Sequence, residues 1–239
     1  MGNSIFRVCL FASLLGWLPL PASALTFGDE TVTCPLDGKT FIYQAVNSYS
    51  QFGMQLDMRP IGALVAPIPM PVCPDSGFVI YRDDFDDGEI SVSRRLVQSP
   101  EYLALRGAET DYFVAAYQAG KLDEGAWEIA ILTLQATWEV QENPKKYKHY
   151  AALALTRLEE VGKNFARAGE NGEQWWTAKL LVVNFHRRLG EFDEAAGLLA
   201  ELPYADEPEE SGYRVVGERL ADLIARRESA VAEIAPRDG

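Results

Sequence analysis

Two short turns with the same pattern constrain the fold of this chain more than any other feature. Residues 34–38 (Cys-Pro-Leu-Asp-Gly) and 73–77 (Cys-Pro-Asp-Ser-Gly) share the form Cys-Pro-x-x-Gly. Proline fixes the backbone after each cysteine, and glycine readily adopts the left-handed conformation that closes a tight turn. We therefore expect both segments to be turns and the region around them to be rich in loops.

Short runs of β-branched and aromatic residues flank these turns. Residues 31–33 and 40–43 lie on either side of the first turn, and residues 78–81 follow the second. Such runs, bounded by turn residues, are typical of short strands. The intervening segment 60–74 contains five prolines, which exclude a helix and a central strand. The sequence thus predicts a small β-rich head over residues 25–95.

The repeated turns resemble those of a zinc ribbon, in which two Cys-Pro-x-Cys-Gly turns supply four thiolates to one metal ion. In this chain Asp37 and Ser76 stand where the second cysteine of each turn would be. Residues 81–85 (Tyr-Arg-Asp-Asp-Phe) and helical repeats follow. With two cysteine turns, then residues 81–85, then helical repeats, the chain resembles the bacterial family catalogued as domain of unknown function 2225. The resemblance implies a degenerate zinc-ribbon-like head followed by tetratricopeptide-like helices, and it implies no known activity.

Cys34 and Cys73 would lie close together in the paired-turn geometry that this resemblance implies. Two thiolates with one carboxylate and a hydroxyl make a poor zinc site, because serine is rarely a zinc ligand. We therefore expect a Cys34–Cys73 disulfide to replace the metal and to stabilise the head by about 4 kcal/mol. A residual metal site formed by Cys34, Asp37 and Cys73, and free or redox-active thiols, are the alternatives. No cofactor is predicted.

The first 24 residues have the pattern of an export signal. Arg7 precedes an apolar run over residues 8–20, and residues 22–24 (Ala-Ser-Ala) form a small-x-small cleavage pattern. We expect cleavage near Ala24 and no transmembrane anchor after cleavage. The mature protein would then be periplasmic or secreted, in a compartment where disulfides persist. Loss of this segment removes Cys9, and loss of Arg7 changes the formal charge from −13 to −14. This negative charge argues against nucleic-acid binding.

Residues 96–239 carry helix signals and form the predicted helical domain. A capping residue followed by proline, at 99–100 and again at 143–144, marks two helix starts. Apolar residues at helical spacing predict six helices. Their approximate ranges are 100–119, 123–141, 144 to Gly162 or Gly169, 172–189, 195–202 and 213–234.

Two turns in this domain have matching sequences, at residues 120–125 and 190–195. They resemble the turn inside a tetratricopeptide repeat, and their separation corresponds to about two repeats of roughly 34 residues. The predicted fold class is therefore α+β, with a small β-rich head followed by an array of about three helical hairpins.

The acidic run from Asp83 to Glu89 has two interpretations. Compared with a calcium-binding EF-hand loop that starts at Asp83, Phe85 and Arg94 fall where oxygen ligands should be. A solvated acidic turn that leads out of the head is the simpler interpretation.

No catalytic residue is predicted. The chain has no nucleophile elbow, phosphate-binding glycine loop or zinc-protease motif, and His149 and His186 lack a partner histidine at metal spacing. Possible interaction residues are Trp175, Trp176, Lys145, Lys146 and Lys148, although the tryptophans also suit a core between helical hairpins. We expect a non-catalytic interaction protein with a protein or peptide partner. The alternative is an envelope enzyme, a thiol-redox protein or hydrolase, that uses the Cys34/Cys73 region.

Overall fold

The computed structural model describes residues 25–64 and 66–235. The predicted export signal, residues 1–24, lies outside the described residues. Four strands come first: β1 (Leu25–Thr33), β2 (Thr40–Tyr49), β3 (Gln51–Met54) and β4 (Pro60–Gly62). Within the described part of the chain they form two separate two-stranded antiparallel sheets, β1 with β2 and β3 with β4.

Eight α-helices follow in the described residues. They are α1 (Asp87–Leu96), α2 (Pro100–Ala108), α3 (Asp111–Lys121), α4 (Ala126–Glu139), α5 (Pro144–Asn164), α6 (Gly172–Arg188), α7 (Phe192–Ala200) and α8 (Gly212–Ala225). A short 3-10 turn, Tyr204–Asp206, joins the last two. The predicted α+β class with a helical array is confirmed.

The first Cys-Pro-x-x-Gly turn connects β1 to β2. The strands pair from Leu25 opposite Tyr49 to Thr33 opposite Thr40, so both predicted flanking strands are confirmed and are longer than expected. The strand predicted over residues 78–81 is wrong: Val79 forms only an isolated bridge with Val72. Its backbone N–H instead donates to Gln118 Oε1 at 3.0 Å, because the side chain from α3 occupies the position of a neighbouring strand.

Two helices differ from the sequence prediction near the head. The helix predicted over 100–119 is split, because Glu109 is extended and Thr110 starts α3. Residues 87–96 form α1 where an acidic turn was predicted. Asp86 Oδ1 accepts from the Glu89 N–H, and Glu89 Oε2 accepts from the Asp86 N–H, both at 2.8 Å. This reciprocal capping box was readable in the sequence as Asp-x-x-Glu.

The helices α3 to α8 pack side by side, but they do not form regular pairs. If two complete tetratricopeptide-like repeats separated the turns at 120–125 and 190–195, four helices would lie between these turns. The structure has three helices there, α4 to α6. The reason is α5, a single helix of 21 residues. The turns also differ: Gly190 has a φ of +83° after α6, whereas Gly120 lies inside α3 and Asp123 takes the left-handed conformation at φ +55°.

The end of the described chain returns to the head. The sixth predicted helix ends at Ala225 and not near Ile234. After it, Leu56 donates its N–H to the Ala232 carbonyl at 2.9 Å, and Ile234 donates to the Met54 carbonyl at 3.0 Å. Residues 232–234 therefore lie antiparallel to residues 54–56, at the end of β3.

Leu56, at the tip of the second hairpin, packs into the apolar cluster formed by α6, α7 and α8. A second cluster lies between α3, α4, α5 and α6, and a third surrounds the two cysteines and α1 to α3. The division into residues 25–95 and 96–239 stays a prediction, and the contacts of Leu56 cross it. None of the described helices combines the length and apolar character that a bilayer crossing requires.

Candidate functional site

The two Cys-Pro-x-x-Gly turns have the same backbone geometry. Gly38 donates its N–H to the Cys34 carbonyl at 2.9 Å, and Gly77 donates to the Cys73 carbonyl at 2.8 Å. Both glycines are left-handed, at φ +73° and +69°. The structure joins Cys34 and Cys73 as the expected disulfide, with their Cα atoms 5.5 Å apart and each residue 1% exposed.

The side chains at the position of the missing cysteines hold the turns themselves. Asp37 Oδ1 accepts from the Lys39 N–H at 3.0 Å, and Ser76 Oγ accepts from the Phe78 N–H at 3.2 Å. The sulfur atoms of Cys34 and Cys73 are bonded to each other, so they offer no thiolates to a metal. In the part of the chain that is described, no group of three or more His, Cys, Asp or Glu side chains is arranged to hold a metal ion.

The acidic run is organised by Arg82, which sequence reasoning did not single out. Its guanidinium forms ion pairs with Asp84 at 3.0 Å and Glu124 at 2.6 Å, and also with Glu89. It also lies 4.3 Å from the centre of the Phe85 ring. The hydrogen bonds from Arg82 and from the Asp86 N–H lower the pKa of Glu89. This part of the run therefore stabilises the start of α1.

The tryptophan pair is largely part of the core. Trp176 is buried and stacks on Tyr213, with ring centres 5.2 Å apart. Trp175 packs edge-on against Trp176 at 5.1 Å and is half-buried, with the Lys179 ammonium 5.9 Å from its ring centre. The core interpretation of Trp176 is confirmed, and Trp175 keeps a partly exposed surface.

The three lysines at the start of α5 have different surroundings. Lys146 donates to the Ala108 carbonyl at the end of α2 and forms an ion pair with Glu109 at 3.2 Å. It therefore fixes the end of α2 against α5. Lys145 and Lys148 are exposed, so these two remain the candidates for contact with a partner.

A groove of about 280 Å³ crosses four helices, α2 to α5. We call it the α2–α5 groove. Its walls are mainly apolar and are formed by Leu105, Phe113, Ala116, Tyr117, Ile129, Thr133 and Leu153, with Glu101 and Arg157 at its edges. None of these residues was singled out from the sequence, because the groove forms only where the four helices meet.

The floor of the groove is packed against the core, whereas its rim is accessible. Phe113 stacks on Tyr150 with ring centres 4.5 Å apart, and Tyr150 is fully buried. Leu153 on α5 is 38% exposed. Arg157 is paired with Glu160 at 3.5 Å, whereas Glu101 forms no ion pair within residues 25–64 and 66–235. The groove thus offers apolar surface beside one carboxylate that has no cationic partner among the described residues.

Comparison of the chain with protein-family models, with curated proteins and with solved structures finds no match in any of the three. The resemblance to domain of unknown function 2225 stays a prediction. The function of this protein is therefore inferred from its own residues and their geometry.

Proposed function

We propose that this protein is an exported, non-catalytic interaction protein that binds a segment of a partner protein in the α2–α5 groove. The observation that carries the proposal is the groove itself, a concave apolar surface built by four helices and open to solvent at Leu153. Helical arrays commonly bind peptides in such grooves through a few apolar anchors. The export signal predicted from the sequence places this activity in the periplasm or outside the cell.

The charges favour a partner segment with basic residues next to its apolar anchors. Glu101 stands at the groove edge without an ion pair in the described residues, and the chain has a formal charge of −13. Electrostatic complementarity mainly accelerates association and selects among partners, whereas the apolar anchors supply most of the affinity.

The alternative, an enzyme that uses the Cys34/Cys73 region, has less support. Both sulfur atoms are bonded to each other, and both cysteines are nearly inaccessible within an apolar cluster. A thiol-disulfide enzyme requires an attacking sulfur that its substrate can reach. Asp37 accepts a backbone hydrogen bond from Lys39 in its own turn.

Site-specific photo-crosslinking tests the groove. A photoreactive side chain is introduced at Leu153, or at Val215 on α8 as a control with nearly the same exposure, 37% against 38%. After crosslinking in intact cells, mass spectrometry identifies the captured segment, and its affinity as a synthetic peptide is measured by calorimetry. We expect capture at Leu153 only, by a segment that combines apolar and basic residues.

Variants in the groove then test direct binding. Leu153→Glu places a charge among the apolar anchors and should weaken binding of the captured peptide at least tenfold, about 1.4 kcal/mol. Val215→Glu should leave the affinity unchanged. Equal capture at both positions, or equal affinities of both variants, would contradict the proposal, and thiol-dependent turnover by the wild-type protein would favour the enzyme alternative.

A further inference from the structure

A second cavity, of about 460 Å³, lies between the proline-rich segment and the point where α3 begins and α4 ends. It shares no lining residue with the α2–α5 groove. Its wall on one side is formed by residues 66–70, and on the other side by Tyr112, Trp138 and several charged side chains. The size is suitable for a small molecule, because ligand pockets typically measure about 300–1,000 Å³.

The two aromatic residues use their polar atoms elsewhere. The Tyr112 hydroxyl donates to the Ile68 carbonyl at 2.7 Å, and the Trp138 indole N–H donates to the Asp57 carbonyl at 3.2 Å. Both side chains are more than nine-tenths buried, so the backbone fixes their rings in place. What they contribute to the cavity is aromatic surface, which attracts cations through the ring quadrupole.

The charged side chains of the cavity have an excess of negative charge. Asp111, Glu139 and Glu142 line it together with a single cation, Arg59. None of the three carboxylates forms an ion pair with another described residue, and the Arg59 guanidinium is engaged by Gln141 Oε1. The lining thus carries a formal charge of −2.

The position of Glu139 adds to this imbalance. It is the last residue of α4, where the helix dipole is negative and where the last turn contains no basic residue. Glu139 Oε2 accepts from the Tyr112 N–H at 3.3 Å, which holds the carboxyl at the cavity. Burial and, to a smaller extent, the charge on Asp111 raise the pKa of Glu139 to about 7. A cation bound beside this carboxyl would stabilise its charged form.

We propose that this cavity binds a small organic cation that carries an ammonium group, in contact with the aromatic surface of Tyr112 and Trp138 and with the carboxylates of Glu139 and Glu142. The aromatic walls favour an organic amine over a hydrated metal ion, because a metal ion would leave the ring surfaces and most of the volume unused. The site is independent of the function proposed for the groove, and it can exist whether or not a partner protein binds there.

The test uses the full mature chain and cadaverine, a diamine, as the probe. Binding is measured by calorimetry, and 1,5-pentanediol serves as a neutral ligand of the same shape. The double variant Glu139→Gln/Glu142→Gln removes two charges at the cavity. A matched control, Glu209→Gln/Glu210→Gln, removes two exposed charges from the loop before α8. Thermal unfolding of each variant checks that it is folded.

We expect cadaverine to bind the wild type and the control variant with equal affinity, and the cavity variant at least tenfold more weakly. The diol should not bind. In NMR spectra of the wild type, cadaverine should shift the Trp138 indole N–H signal and leave that of Trp175 unchanged. Equal weakening in both double variants would show that cadaverine binds only through the net negative charge of the protein, and would refute the proposal. Absence of binding at millimolar cadaverine would also refute it.

Discussion

Removing the Cys34–Cys73 disulfide should lower the stability of the protein by about 4 kcal/mol. The bridge closes a loop with a sequence separation of 39 residues. In the chain-entropy model a loop of this length restricts the unfolded chain by about 13 cal/mol/K, which corresponds to about 4 kcal/mol at 25 °C. The double variant Cys34→Ala/Cys73→Ala is preferred over serine, because both positions lie in an apolar cluster where a hydroxyl would lack a partner.

Urea unfolding, followed by tryptophan fluorescence, measures this loss. With a slope of about 2–3 kcal/mol/M for a protein of this size, a loss of 4 kcal/mol lowers the midpoint by about 1.3–2 M. The wild type treated with reductant during unfolding should approach the same midpoint, whereas reductant should not affect the variant. A midpoint shift below about 0.3 M would refute the reasoning and would mean that the head is held by its apolar contacts alone.

Two further perturbations test polar groups, Glu139 at the second cavity and the buried Arg187. Folding raises the pKa of Glu139 from 4.5 to about 7, so the folded state binds more protons and stability should fall as the pH rises between these values. Glu139→Gln should therefore match the wild type at pH 4 and exceed it by about 1 kcal/mol at pH 8, allowing for the solvent contact of this side chain. The measurement is urea unfolding at both pH values, and equal stabilities at pH 8 would contradict the assignment. Arg187 is fully buried and donates to the Glu228 and Ala230 carbonyls at 2.6 and 2.9 Å. Arg187→Leu should cost about 3 kcal/mol and increase hydrogen exchange at Ile234, whereas the exposed Arg226→Leu should cost less than about 1 kcal/mol. Unchanged exchange at Ile234 in Arg187→Leu would show that the final segment is held by other contacts.

Local signals predicted many of the elements. Asn143 followed by proline starts α5, and the Asn143 side chain accepts from the Lys146 N–H at 3.1 Å as a helix cap. The apolar spacing from Trp127 to Trp138 predicted α4 correctly. These predictions succeeded because capping, proline geometry and helical periodicity act within a few residues of the chain. The capping box of Asp86 and Glu89 acts over the same range and was missed only because the residues were interpreted as a solvated turn.

The candidate sites were less predictable, because each collects residues from distant parts of the chain. The α2–α5 groove combines Leu105 with Leu153, and the second cavity combines Arg59 with Glu139. A helix sequence shows that a residue is apolar, but it does not show whether a neighbouring helix covers it. Sequence reasoning therefore left the groove residues unnamed and listed Trp176 as a possible interaction residue, although the structure buries it.

The sequence by itself determined the class of the fold, the positions of its tight turns and most of its helices, because backbone conformation responds first to neighbouring residues. Only the tertiary structure decided how the second hairpin, α6 and the segment after α8 meet. Leu56 packs between α6 and α8, the segment after α8 pairs with β3, and Arg187 binds two carbonyls of that segment. These contacts join residues more than 40 positions apart. At such separations many alternative pairings have a similar loop-closure entropy, so the nearby sequence does not distinguish them. The native pairing is the one that buries the most apolar surface while its polar groups form hydrogen bonds.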